Sequence, residues 1–244
     1  MRLTRRAGLV NRVRSRHHPY VISDLASTEA SVPHPISPAR STAGVAGIVA
    51  VLAASPAFAH HPMGGATPTT LWEGFASGIG HPVIGPDHFV FVVLAALVFS
   101  MARSALPPVL TLIVSGLAGT LLRTMSIELP LNEALVALTL VVAGAVVLFR
   151  LYAGTGREGA ASALAVAFAG VVHGFAWGES VVGTDAPVLG SYLAGLAIVQ
   201  FVVLMALVAA FRAVATRSPR VQSGLVASLG VVGVFAGAGF LLLT

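Results

Sequence analysis

Six apolar stretches dominate this chain, at residues 72–102, 106–123, 130–152, 159–178, 188–212 and 223–243. Each is close to the ~20 residues a helix needs to cross about 30 Å of hydrocarbon. Backbone groups in that medium find no water, so they must pair within a helix or around a closed barrel. The alternation of a barrel strand is absent from all six stretches. Charge points the same way. Only 9% of the 244 residues are charged, against about 25% in a soluble domain, too few to cover a water-soluble fold. The expected fold is therefore all-α and polytopic, with six transmembrane helices behind an N-terminal signal peptide.

The formal charge of +5 belongs to the leader. Residues 1–59 hold seven Arg against Asp24 and Glu29, while residues 60–244 hold seven Arg and seven acids. The body thus has no basic face for a polyanion, and nucleic acid is excluded as a partner. Residues 1–41 are polar and Arg-rich, and residues 42–54 are apolar. Ser55-Pro56-Ala57-Phe58-Ala59 then ends in an A-x-A pattern. Together these describe a secretory signal, with cleavage after Ala59 leaving His60 first. An uncleaved signal anchor is the alternative, and the long polar region leaves room for a start codon downstream of Met1. The domain organisation is a leader over 1–59 and one six-span domain over 60–244.

Arginine placement sets the orientation. With the mature N-terminus periplasmic, Arg103, Arg150, Arg157, Arg212, Arg217 and Arg220 fall inside and only Arg123 outside, a clear positive-inside bias. A signal peptide delivers the N-terminus to that same outer side. The expected location is a bacterial inner membrane, with both ends of the mature chain periplasmic. An inverted repeat of three helices plus three would put matching motifs at opposite faces. The two histidine motifs fall near one face, so no repeat is read.

Cysteine is absent, which excludes thiolate metal sites, iron–sulfur clusters and cysteine nucleophiles. Imidazole and carboxylate remain. Span one carries His81-Pro82-Val83-Ile84-Gly85-Pro86-Asp87-His88 in an otherwise apolar run. Ionisable groups at membrane depth are costly and mark function by default. On an unbroken helix His81 and His88 stand about 10.5 Å apart along the axis. Pro82, Gly85 and Pro86 are expected to break that helix and fold His81 back toward Asp87 and His88. Broken helices of this kind form ion sites in transporters.

Span four ends in Val172-His173-Gly174-Phe175-Ala176-Trp177-Gly178-Glu179, and span three opens with Glu128-Leu129-Pro130-Leu131-Asn132-Glu133. Singly, each group has an ordinary reading. A lone His can bond a carbonyl, Glu133 suits the start of a helix dipole, Glu179 lies near an interface, and Trp177 reads as an interfacial anchor. Jointly, His81, Asp87, His88, Glu133, His173 and Glu179 fall toward one outer face under a topology set without them. Imidazole with carboxylate suits Ni²⁺, Co²⁺ or Zn²⁺. A mature terminus beginning His60-His61-Pro62 adds a candidate capture site. Gln200, the only amide in span five, is a candidate to line a path. Trp72, Phe89, Phe91 and the glycines Gly230, Gly233, Gly237 and Gly239 read as anchoring and close helix packing.

The motif His81-Pro82-x-x-Gly85-x-Asp87-His88 resembles the HPxxGxDH signature of the HupE/UreJ nickel/cobalt permeases. Leu129-Pro130-x-x-Glu133 and His173-Gly174-x-Ala176-x-Gly178-Glu179 are similar to that family's other marks. The resemblance implies a secondary permease importing Ni²⁺ or Co²⁺ for metalloenzymes such as hydrogenase and urease, or for cobalamin synthesis. It implies a transport site of His81, Asp87, His88, His173, Glu133 and Glu179. The ion would be cargo, with no prosthetic group and no enzymatic activity, in a lipid bilayer and with a homo-oligomer left open. Many members carry a second His where Trp177 stands, and often one near Gln200. The rival readings are an intramembrane metal-dependent enzyme, weakened by the lack of HExxH, and a non-transporting accessory or sensor subunit.

An alkaline phosphatase fusion after Glu179 is expected to be active, and one after Arg217 inactive. Activity reversed between the two sites would invert the orientation.

Overall fold

The computed structural model describes residues 66–125, 127–153 and 160–244, and these form seven α-helices and one short 3₁₀ turn. No strand occurs among them. The signal segment, His60, His61 and Arg157 lie outside the described residues. In chain order the helices are α1 (Leu71–Ile84), α2 (Pro86–Ser100), α3 (Leu106–Thr124), α4 (Asn132–Ala153), α5 (Ala160–Gly178), α6 (Ala186–Arg217) and α7 (Pro219–Leu241), with the 3₁₀ turn at Glu179–Val181 between α5 and α6.

Helix α1 starts on a capping box. Thr70 Oγ1 accepts from the Glu73 N–H at 3.2 Å, and the Glu73 carboxylate accepts from the Thr70 N–H at 3.1 Å, satisfying donors that a helix start leaves open. At Gly85 the chain bends by 73° into α2. With 14 and 15 residues, the two halves are about 21 and 22 Å long, each short of the hydrocarbon core. They make one span only together, so the described residues hold five long apolar spans, or six with the bent pair counted as one. The expected break is present, but at Gly85 and Pro86 alone. Pro86 takes the first turn of α2, where a missing N–H costs nothing, while Pro82 stays inside α1.

The other helices track the apolar runs closely, except that α6 extends past residue 212 to Arg217. Helix α3 lies along α5, α4 along α7 and α1 along α6, and α2 inserts among α4, α6 and α7. Small residues set these pairs. A Cβ added at Gly174 of α5 would run into the Gly116 carbonyl of α3, and one at Gly119 into the Val171 carbonyl. Gly78 of α1 touches the Tyr192 backbone, and Gly195 of α6 the Phe75 backbone. On α7, Gly230, Gly233 and Gly237 meet α4 or α2, as read from the sequence, whereas Gly239 faces open space. Lipid tails are as apolar as leucine, so helices in a bilayer associate through such close packing rather than by hydrophobic exclusion. The outer surface stays apolar, with Val114, Leu138, Val142, Phe168, Val202 and Phe235 exposed.

Charge collects at the ends. Arg150 donates to Val98 O at 3.3 Å, and Arg212 to Ser100 O at 3.1 Å and Ala102 O at 2.8 Å. Both cations thus serve the carbonyl end of α2, where the helix dipole favours them. At the opposite end of the bundle Arg123 stands 3.9 Å from Glu179 and lies over the Phe175 ring.

Gly174→Ala is expected to destabilise the protein in detergent by about 1–3 kcal/mol, the range for overpacking a close contact. Gly239→Ala is expected to change stability by less than about 0.5 kcal/mol. Thermal unfolding of the two variants makes the comparison.

Candidate functional site

The bend at Gly85 aims the last turn of α1 and the first turn of α2 at one buried point. His81 closes α1, and Asp87 and His88 open α2. Their rings then come within reach: the His81 and His88 centroids lie 6.1 Å apart. Gly85 makes room for this. A Cβ there would stand 2.8 Å from His88 Cδ2, so any larger residue displaces the ring. The Asp87 carboxylate lies at the edge of the pair, its Oδ2 4.0 Å from His88 Nε2.

The second histidine face comes from α5. His173 Nδ1 is 2.9 Å from His88 Nδ1, within hydrogen-bonding distance. The Phe91 ring, less than one turn past His88, stacks on His173 with centroids 3.9 Å apart. His173 Nε2 meets Thr139 Oγ1 of α4 at 2.8 Å. On the far side, His81 Nδ1 lies 3.3 Å from both Ser180 Oγ and Tyr192 OH. All four candidate ligands, His81, Asp87, His88 and His173, are buried. Four segments remote in sequence thus deliver one polar cluster into an apolar bundle.

Two expected members stand apart. Glu179 is exposed, with its side chain 57% accessible and facing Arg123; an exposed pair of this kind contributes about 0–1 kcal/mol. Glu133 is exposed in the first turn of α4. Trp177 requires a correction. The sequence points to an interfacial anchor, but the side chain is fully buried, with its ring 5.4 Å from that of His88 and 5.8 Å from that of His173. Close packing of α5 on α3 at Gly174 and Gly178 turns that face inward. Trp72, by contrast, is exposed as an anchor should be. Gln200 is buried in α6 near Gly116 and Trp177, and neither amide atom is hydrogen-bonded. Phe91 lies against the site rather than at an interface.

Thr139, Ser180 and Tyr192 were not singled out from sequence. The available signal was weak: a hydroxyl in an apolar span is usually absorbed by a carbonyl one turn earlier. In the arrangement seen, no three His, Asp or Glu side chains among the described residues surround one point closely enough to hold an ion. The histidines instead bond each other, and a metal-bound geometry requires ring rotations.

Beyond Phe91 and Thr139, toward Arg150, lies a cavity of about 530 Å³ between α2, α3, α4 and α5. Val98, Leu112, Leu135 and Val166 form its walls, and Arg150 lines its far end.

Residues 48–240 match the family model described as HupE / UreJ protein, well over half of the chain, and the chain belongs to that family. Comparison with curated proteins and with solved structures gives no match. Membership is consistent with a metal-transport or accessory role in the membrane; the family is not a known enzyme family. The long apolar helices suit a multi-pass membrane protein.

Proposed function

We propose that this HupE / UreJ family member carries divalent transition-metal ions, nickel or cobalt, across the inner membrane into the cytoplasm. The observation that carries the reading is the buried pair of imidazole nitrogens, His88 Nδ1 and His173 Nδ1, 2.9 Å apart on separate spans. Two nitrogens each bound at about 2.0–2.1 Å and at right angles around one ion stand about 2.9 Å apart. Rotation of both rings, with release of the proton they share from His88 Nδ1, would convert their mutual hydrogen bond into a chelate.

The surroundings favour a cation. His81 ends α1, where helix carbonyls present negative charge, and Asp87 adds a full one. Ligands of imidazole and carboxylate suit nickel and cobalt and leave calcium poorly served. Glu133 and Glu179, exposed at the Arg123 end of the bundle, act as outer carboxylates that draw the ion toward the histidines. His60 and His61 extend that capture on a cleaved N-terminus. The cavity toward Arg150 has nearly apolar walls, so inward release of an ion uses a conformation other than this one. Trp177 occupies ring-sized space beside both histidines, and the ligand shell is accordingly smaller than in members with a His there.

The test is uptake of labelled Ni²⁺ and Co²⁺ by cells expressing the chain. His88→Ala and His173→Ala are each expected to remove uptake. Glu179→Gln is expected to reduce it no more than a few-fold. Uptake at the empty-vector level for both ions, from well-expressed protein, would contradict the proposal and favour an accessory role.

A further inference from the structure

We propose that three hydroxyl side chains, Thr139, Ser180 and Tyr192, fix the tautomers of His173 and His81 and so decide which ring nitrogen each offers to the ion. This rests on the transport reading for its ion, but the tautomers follow from the hydrogen bonds alone.

A hydroxyl has one proton to give and two lone pairs to receive with. Thr139 Oγ1 donates its proton to Val136 O at 2.6 Å. With that proton committed to the shorter contact, the 2.8 Å contact with His173 Nε2 is assigned the other way, with the imidazole donating. His173 thus carries its proton on Nε2, and its lone pair on Nδ1 points at His88. His88 in turn donates from its own Nδ1. The direction of the whole chain is set by one threonine and the carbonyl it is tied to.

The same logic operates on His81 from the other side. Tyr192 OH donates to Trp177 O at 2.8 Å, and Ser180 Oγ to the same carbonyl at 3.2 Å. A carbonyl oxygen has two lone pairs and accepts both. With their protons so placed, each hydroxyl is an acceptor 3.3 Å from His81 Nδ1, which assigns the proton to that nitrogen and the lone pair to Nε2. The two histidines are therefore set in opposite tautomers, His81 to ligate through Nε2 and His173 through Nδ1. Proton positions are assigned here from the hydrogen-bond network. Partners behind a ligating imidazole fix its orientation and tautomer, and their loss typically costs 10–100-fold in metal affinity. Thr139, Ser180 and Tyr192 are positioning residues in this sense. They touch the ligands and not the ion.

The experiment uses the purified full chain with ring ¹⁵N-labelled histidine, read by NMR without metal, and Ni²⁺ affinity by titration. The parent is expected to show His173 protonated on Nε2 and His81 on Nδ1. Thr139→Val, which keeps shape and loses the acceptor, is expected to shift the His173 tautomer, spare that of His81 and weaken Ni²⁺ binding by roughly 10–100-fold. Thr139→Ser is expected to restore both readouts. The Ser180→Ala/Tyr192→Phe double variant is expected to do the converse, shifting His81 and sparing His173. The spared histidine in each case reports that the bundle is intact. A His173 ring that stays protonated on Nε2 in Thr139→Val, or a Thr139→Ser variant that fails to restore it, overturns the proposal. A parent with the expected tautomers that binds neither Ni²⁺ nor Co²⁺ contradicts the transport reading instead and leaves the tautomer assignment intact.

Discussion

Backbone contact between α3 and α5 is the constraint on which the site depends. Gly174 rests against the Gly116 carbonyl, and His173 is its immediate neighbour in sequence. No side chain separates the two helices there, so His173 is held deep in the bundle and cannot turn toward lipid. In a bilayer, polar side chains hold a fixed place only where packing leaves no room for alternatives. Thr120 reinforces the contact by donating to Gly174 O at 2.9 Å. The bend at Gly85 then brings His88 to the surface that α5 presents. Remove either feature and the imidazoles no longer meet.

Much of this was legible in the sequence because the bilayer restricts the choices so severely. Span limits follow from apolar length, and the break in span one follows from Gly85 and Pro86. The grouping of His81, Asp87, His88 and His173 was expected from their shared depth. Depth alone does not give azimuth. Trp177 and Glu179 are two residues apart on the same segment, yet one is fully buried and the other open. Which side of α5 faces inward is decided where its Gly170, Gly174 and Gly178 close on α3, and that partner is not named by a pattern read along one helix. The same gap hid Thr139, whose meaning depends on α5 rather than on its own helix.

Two hydrogen-bonded arms flank the site, one from His88 and one from His81, whose ring centroids stand 6.1 Å apart. One runs through His173 and Thr139 into α4, and the other through His81 to the 3₁₀ turn and α6. Each arm ends on a backbone carbonyl, Val136 O or Trp177 O, so a buried network that would be costly if left open is closed by the main chain. Aromatic faces exclude water from its centre: Phe91 stacks on His173, and Trp177 meets His88 edge-on. Under the proposed transport role, an entering ion would displace the proton shared by His88 and His173 and keep the outer bonds that hold the rings. Rigid outer partners with one exchangeable inner contact suit a site that must both bind and let go.

The most direct test of the central claim is X-ray absorption at the metal edge of the purified protein loaded with Ni²⁺ or Co²⁺. The bound ion is expected to have nitrogen and oxygen neighbours without sulfur, at least two of them imidazoles. One of these should disappear in His173→Ala and one in His88→Ala. A first shell of water and carboxylate alone, or an imidazole count unchanged by both substitutions, would contradict it.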